Sequence, residues 1–141
     1  MRNYLILIGL FVFISCSTRE EPGDVITSEF ERITSVITKD SWKVISFVDN
    51  GEDVTSSFSD FVFVFDEDGT LSIEAENFSE TGNWLYQGLP FKGELLSIAI
   101  TDSGLLDSIS EEWNIETLIN TQVELFIDNE NTNKLLTFER I

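Results

Sequence analysis

This 141-residue sequence predicts an all-β domain of about eight antiparallel strands, folded as a sandwich or a barrel and preceded by one short helix. Three observations carry that reading. Short runs rich in Val, Ile, Phe, Trp and Thr recur between Asp, Asn and Gly clusters at regular spacing. Several of these runs alternate apolar with polar residues, the period of a strand with one wet face. Strands do not alternate with helices in βαβ fashion, which excludes a parallel sheet.

The N-terminus comes before the domain. Arg2 precedes an unbroken apolar run from Tyr4 to Ile14. As a helix that run would rise ~16 Å, about half the hydrocarbon thickness of a bilayer, so it suits a secretory leader better than a membrane span. The small residue Ser15 stands before Cys16, and Phe13 lies three before it, where Leu is usual. The segment resembles the lipobox of bacterial lipoproteins. That resemblance implies a signal peptide over residues 1–15, cleavage before Cys16 and lipid on its thiol. Two or three acyl chains anchor a protein stably where one is marginal. The expected location is the cell envelope, anchored by lipid on the outer membrane, on either its periplasmic or its surface face. Cys16 is the only cysteine, so an intramolecular disulfide is impossible, and lipidation would leave no thiol for catalysis or metal binding.

Residues 16–25 read as the lipidated cysteine and a flexible tether, polar and broken by Pro22 and Gly23. Arg19-Glu20-Glu21 resembles the surface-export signal of Bacteroidota lipoproteins, and a charged linker explains it equally well. The domain is expected over residues 26–141. Ile26, Phe30, Ile33 and Ile37 recur at helical spacing and leave Glu29, Arg32 and Lys39 for solvent, which predicts a helix of about three turns.

Strands are expected near 41–48, 60–66, 69–75, 80–87, 94–101, 112–119, 122–128 and 134–140. Asp66-Glu67-Asp68-Gly69 predicts a tight hairpin with Gly where φ must be positive, and residues 129–133 a second one. Residues 104–109 read as a short helical turn or a loop. Val123, Leu125 and Ile127 alternate with Gln122, Glu124 and Asp128, so that strand has one wet face, interrupted by Phe126. By the same parity Leu71 and Ile73 face inward. Phe61-Val62-Phe63-Val64-Phe65 is apolar on both faces, and the N-terminal helix is the expected cover for its outer side. Eight antiparallel strands can close and so remove exposed edges.

Composition removes several function classes. The chain has 8 basic and 26 acidic residues, a formal charge of −18, and loss of the leader removes only Arg2 to give −19. Such a surface repels phosphate backbones, so nucleic acid is not an expected partner. The absence of histidine removes the commonest general base and metal ligand, and with it every Ser-His-Asp arrangement. No glycine-rich phosphate loop or serine elbow occurs, so no catalytic residue and no cofactor are expected. Asp66-x-Asp68-Gly69 echoes the start of a calcium loop but lacks the acidic ligands that follow in an EF-hand, leaving Asp66 and Asp68 as weak metal candidates.

Trp42-Lys43-Val44, the Asp49–Thr55 loop, Phe63–Thr70, Gly82-Asn83-Trp84, Trp113-Asn114-Ile115 and Leu136–Arg140 occur in an order and spacing similar to the lipocalin-like lipoproteins of Bacteroidota. The resemblance covers residues 40–141 and implies an up-and-down lipocalin-like barrel. Asp40 stands where lipocalins carry the Gly of Gly-x-Trp. The resemblance also implies that Arg140 on the last strand stacks on Trp42 on the first. Candidate residues of the interior, filling it or lining a ligand, are Trp42, Phe63, Ile73, Trp84 and Tyr86, with Ile98, Trp113, Leu125 and Phe138. Their bulk favours a filled barrel acting as a structural or interaction module beside an envelope protein. The alternative is a carrier of one small apolar ligand.

Overall fold

The computed structural model describes residues 22–89, 93–101 and 104–141, with side chains from Ser28 onward. Expectations for the leader, Cys16 and the tether to residue 21 lie outside the described residues, as does the side chain of Ile26. One helix, α1 (Pro22–Ile37), precedes β1 (Ser41–Asp49), β2 (Glu52–Asp53), β3 (Val62–Phe65), β4 (Thr70–Ala75) and β5 (Phe78–Leu89). Then follow β6 (Gly93–Ile100), β7 (Glu112–Ile119), β8 (Gln122–Asp128) and β9 (Asn133–Arg140). Short 3₁₀ segments occupy Thr55–Ser57 and Gly104–Ser108.

Eight strands form an antiparallel up-and-down barrel in the order β1-β3-β4-β5-β6-β7-β8-β9, closed by β1 pairing with β9 from Trp42↔Arg140 to Asp49↔Lys134. Of the two architectures that alternation allowed, the barrel forms because first and last strands meet. An extra strand, β2, folds back on the end of β1. Residues 49–55, expected to form a loop, contain this strand. Asn50 and Gly51 both take positive φ, 50° and 88°, and join Asp49 to its partner Glu52, as a two-residue type I′ turn requires. The β3–β4 hairpin forms as expected, with Gly69 at φ 88°.

Two further boundaries differ from expectation. The helix starts at Pro22, so residues 22–25 are helical and not tether, in keeping with the preference of proline for a first helical turn. β5 runs over twelve residues and carries the β5–β6 hairpin beyond its neighbours.

Inward parity holds around the barrel. Phe63 and Phe65, Leu71 and Ile73, Val123 and Leu125, and Leu136 and Phe138 are all buried. Edge-to-face ring pairs fill the centre: Trp84 on Phe65 at 5.8 Å, Phe65 on Phe138 at 6.2 Å and Phe138 on Phe63 at 5.1 Å. At the far end Phe58 meets Phe47 at 5.1 Å, and Phe47 meets Trp113 at 6.1 Å.

The role expected of α1 is corrected. It does not cover the outer face of β3, where Val62 and Val64 stay half-buried. Its main contacts are with β5 and β7, so it lies across one mouth of the barrel, with Ile33 and Ile37 fully buried. A barrel mouth exposes the undersides of core residues from every strand at once. An amphipathic stripe therefore buries more apolar area there than on the convex outside.

Phe138 touches both Phe63 and Phe65, so Phe138→Ala is expected to cost about 3–5 kcal/mol. Ile45→Ser, at a position 46% exposed on the outer side, should stay within about 0.5 kcal/mol of the parent. Urea unfolding of both variants checks this.

Candidate functional site

Four places could carry function: the two ends of the barrel, its interior and its outer wall. At the α1 end, Trp42 opens β1 with its indole fully buried, and its Nε1–H donates to the Ile37 carbonyl at 2.8 Å. Arg140, opposite it on β9, holds its guanidinium carbon 5.0 Å from the centre of the Trp42 ring. The same guanidinium donates from Nη2 to the Val36 carbonyl at 2.9 Å. The last turn of α1 holds no basic residue, so the cation that a helix C-terminus favours arrives from the other end of the chain. Asp40 lies 3.6 Å from Arg140 Nε and adds an ion pair.

The α1 end has a second tie. Arg32 pairs with Glu29 on the helix at 2.9 Å and reaches Glu94 of β6 at 4.0 Å. Tyr86 donates its hydroxyl to Glu94 at 3.0 Å, and its ring lies 6.2 Å from that of Phe30. Burial, reinforced by the hydrogen bond to the Glu94 carboxylate and its charge, pushes the Tyr86 phenol up to about 12. A cleft of about 160 Å³ lies here, between Phe30 and Thr34 of α1 and Trp84 and Tyr86 of β5.

The opposite end is held by Lys134, the one buried charged residue among the described residues, 7% exposed. Parity on β9 points it inward with Leu136 and Phe138. Its ammonium meets the Ser108 carbonyl at 3.0 Å, Glu111 at 3.1 Å and Asp49 at 3.8 Å. Three oxygens from three segments thus surround one buried charge, the condition for such burial to be tolerated. The 3₁₀ segment it ties down places Leu106 and Ile109 in the core, and Trp113 donates from Nε1 to the Ile109 carbonyl at 2.9 Å.

All nine candidate interior residues lie in this one core. Trp42, Phe63, Ile73 and Trp113 are fully buried; Ile98, Leu125 and Phe138 are within 2% of it, and Trp84 and Tyr86 are 6% exposed. They belong to one contiguous buried cluster in the barrel interior. Asp66 and Asp68 sit in the β3–β4 turn. The Asp68 carboxylate accepts the Thr70 amide at 2.9 Å, and hydrogen bonding to Thr70 lowers its pKa. Asp53 does the same for Thr55. Among the described residues no group of three or more His, Cys, Asp or Glu side chains converges as a metal site would need.

A groove of about 470 Å³ on the outer wall was not anticipated from sequence. It crosses β1, β9, β8 and β7 between two β-bulges, one after Val44 in β1 and one after Ile115 in β7. Bulges bend the strands that carry them. Val48, Leu135 and Phe126 are cross-strand neighbours and form its apolar floor. Glu116, Glu124 and Asp128 rim it, and none forms an ion pair with a described residue. The available signal was Phe126, the apolar residue on the wet face of β8; Val48 and Leu135 join it only once register is known.

A crystal structure of a DUF4847 family protein from Bacteroides vulgatus ATCC 8482 is similar in fold, with a TM-score of 0.55 and 15% sequence identity over 76% of this chain and 96% of that one. No family model matches the chain, and no curated protein sequence does. At that identity the likeness is one of fold.

Arg140→Lys is expected to loosen α1 before the barrel, seen as faster amide hydrogen exchange at the end of the helix. A Trp42→Leu, Arg140→Gln double-mutant cycle should return a coupling of about 0.5–2 kcal/mol. Tyr86 is the only tyrosine after Tyr4. Its folded pKa lies above the unfolded value, so the stability it lends is complete below about pH 10 and fades as pH rises toward about 12. Ultraviolet titration of residues 22–141 should show one late tyrosinate transition, absent in Tyr86→Phe.

Proposed function

We propose that this chain is a lipid-anchored, non-catalytic interaction module of a bacterial cell envelope. The observation that supports the reading is the cluster of buried aromatic side chains inside the barrel, with α1 held at one end and the Lys134-bound 3₁₀ segment at the other. An eight-stranded barrel has room for side chains or for one small ligand, and the bulk of the buried rings supports the first. What such a barrel offers to other molecules is its outer wall.

The anchor in this proposal rests on the residues of the leader and on Cys16. Five residues separate Cys16 from Pro22, the first residue of α1, a reach of at most about 20 Å. The barrel would therefore sit close to the bilayer, with the mouth that α1 closes on the membrane side. The lack of histidine in the chain supports the non-catalytic part of the reading.

The alternative role, a carrier of one apolar molecule, would need α1 or the 3₁₀ segment to leave its mouth and several rings to move. Native mass spectrometry of the purified protein decides between the two. The apo mass alone is expected. A co-purifying apolar molecule that persists through purification, and is lost in Phe63→Trp, would overturn the interaction reading. Separately, labelled palmitate should enter the wild-type chain and not Cys16→Ser; equal labelling, or none in either, would remove the anchor.

A further inference from the structure

We propose that the outer groove is a docking site for an extended polypeptide segment of a partner protein, with the pattern basic–x–apolar–x–basic. The inference rests on the interaction reading above and deepens it by naming the surface and the chemistry of its occupant.

The argument starts from register. Along β8 the outward positions are Glu124, Phe126 and Asp128, in the order acidic, apolar, acidic. The neighbouring strands extend each position into a row across the sheet. Phe126 pairs with Leu135, and Leu135 with Val48, so the middle row is apolar over three strands. Glu124 pairs with Thr137, and Thr137 with Ser46; Asp128 pairs with Asn133. The two outer rows are thus polar, each with a carboxylate on β8, and Glu116 adds a third carboxylate beside Glu124 from the β7 bulge.

Successive rows are ~6.7 Å apart, twice the rise per residue of a strand. An extended peptide laid along β8 repeats its same-face side chains at that interval. One apolar side chain on the Phe126–Leu135–Val48 floor would place the residues two before and two after it over Glu124 and Asp128. Lys or Arg at those positions would complete three carboxylates that no described cation neutralises. The Glu124 carboxylate is already steadied by Gln122 Nε2 at 2.7 Å, and that of Asp128 by Asn133 Nδ2 at 3.4 Å, so little ordering remains to be done on binding.

Other modes of recognition fit less well. β8 is hydrogen-bonded on both sides, by β7 and β9, so a partner strand cannot add to it and must be read by side chains. Leu135 is 51% exposed on the floor, an apolar surface open to a visitor. No basic residue lines the groove, and the chain is strongly acidic overall, so a cationic segment is also steered toward it.

The test uses the full-length chain in nonionic detergent and a labelled synthetic peptide, Ser-Lys-Thr-Leu-Thr-Lys-Ser, followed by fluorescence anisotropy. Saturable binding that weakens with salt is expected. Glu124→Gln with Asp128→Asn should weaken it at least about tenfold and flatten the salt dependence. Leu135→Ser should weaken it about tenfold with the salt dependence kept. A peptide with Ser for Leu, or Glu for Lys, should not saturate. Equal binding by parent and variants, absence of saturation, or a concentration-dependent dimer abolished by Leu135→Ser would each overturn the docking proposal. If Leu135→Ser fails to fold, the charge-neutral double variant still decides it. A clean apo mass with no peptide binding would sink this inference alone, whereas a retained apolar molecule would sink the interaction reading beneath it.

Discussion

Three indole N–H groups inside a closed barrel need acceptors, and the strands around them have already used their own carbonyls on one another. The rest of the architecture follows from how that demand is met. Each tryptophan reaches out of the sheet to a connecting segment: Trp42 to the end of α1, Trp84 to the Asp66 carbonyl in the β3–β4 turn, and Trp113 to the end of the second 3₁₀ segment. A buried donor left unpaired costs about 1–3 kcal/mol, so each indole makes its latch hard to open. Filling the interior and closing its ends are in this sense one physical event.

Three cations among the described residues serve the same task. Arg140 stacks on Trp42 and binds a carbonyl at the end of α1; Lys134 gathers three oxygens at the other mouth; Arg32 ties α1 to β6. With these three drawn to the ends, Glu116, Glu124 and Asp128 on the outer wall form no ion pair with a described residue. An excess of negative charge repels phosphate backbones. It also leaves carboxylates such as Glu116, Glu124 and Asp128 free to choose a partner of opposite sign.

Much of this was legible in the residues. The hairpin at Asp66–Gly69 and the inward positions of β4 and β8 follow from turn chemistry and alternation, and the nine interior candidates fall into one core. The lipocalin-like resemblance supplied the Trp42–Arg140 contact, which composition and periodicity could not have done. Where reading by pattern stopped short, the cause is specific. Asn50-Gly51 is a strong local turn signal, and it marks a two-residue strand too short to announce itself by alternation. Lys134 looks like an ordinary surface lysine until parity with Leu136 and Phe138 turns it inward.

The residues alone determined which segments are strands, which face of each is apolar and that one amphipathic helix comes first, because these depend on spacing between near neighbours. Tertiary structure alone decided that β2 folds back on β1, that α1 stoppers a mouth and leaves the outside of β3 open, and that Val48, Leu135 and Phe126 share one floor. Those outcomes turn on cross-strand register and on two bulges. A single inserted residue there changes which distant side chains meet, and no local pattern records that choice.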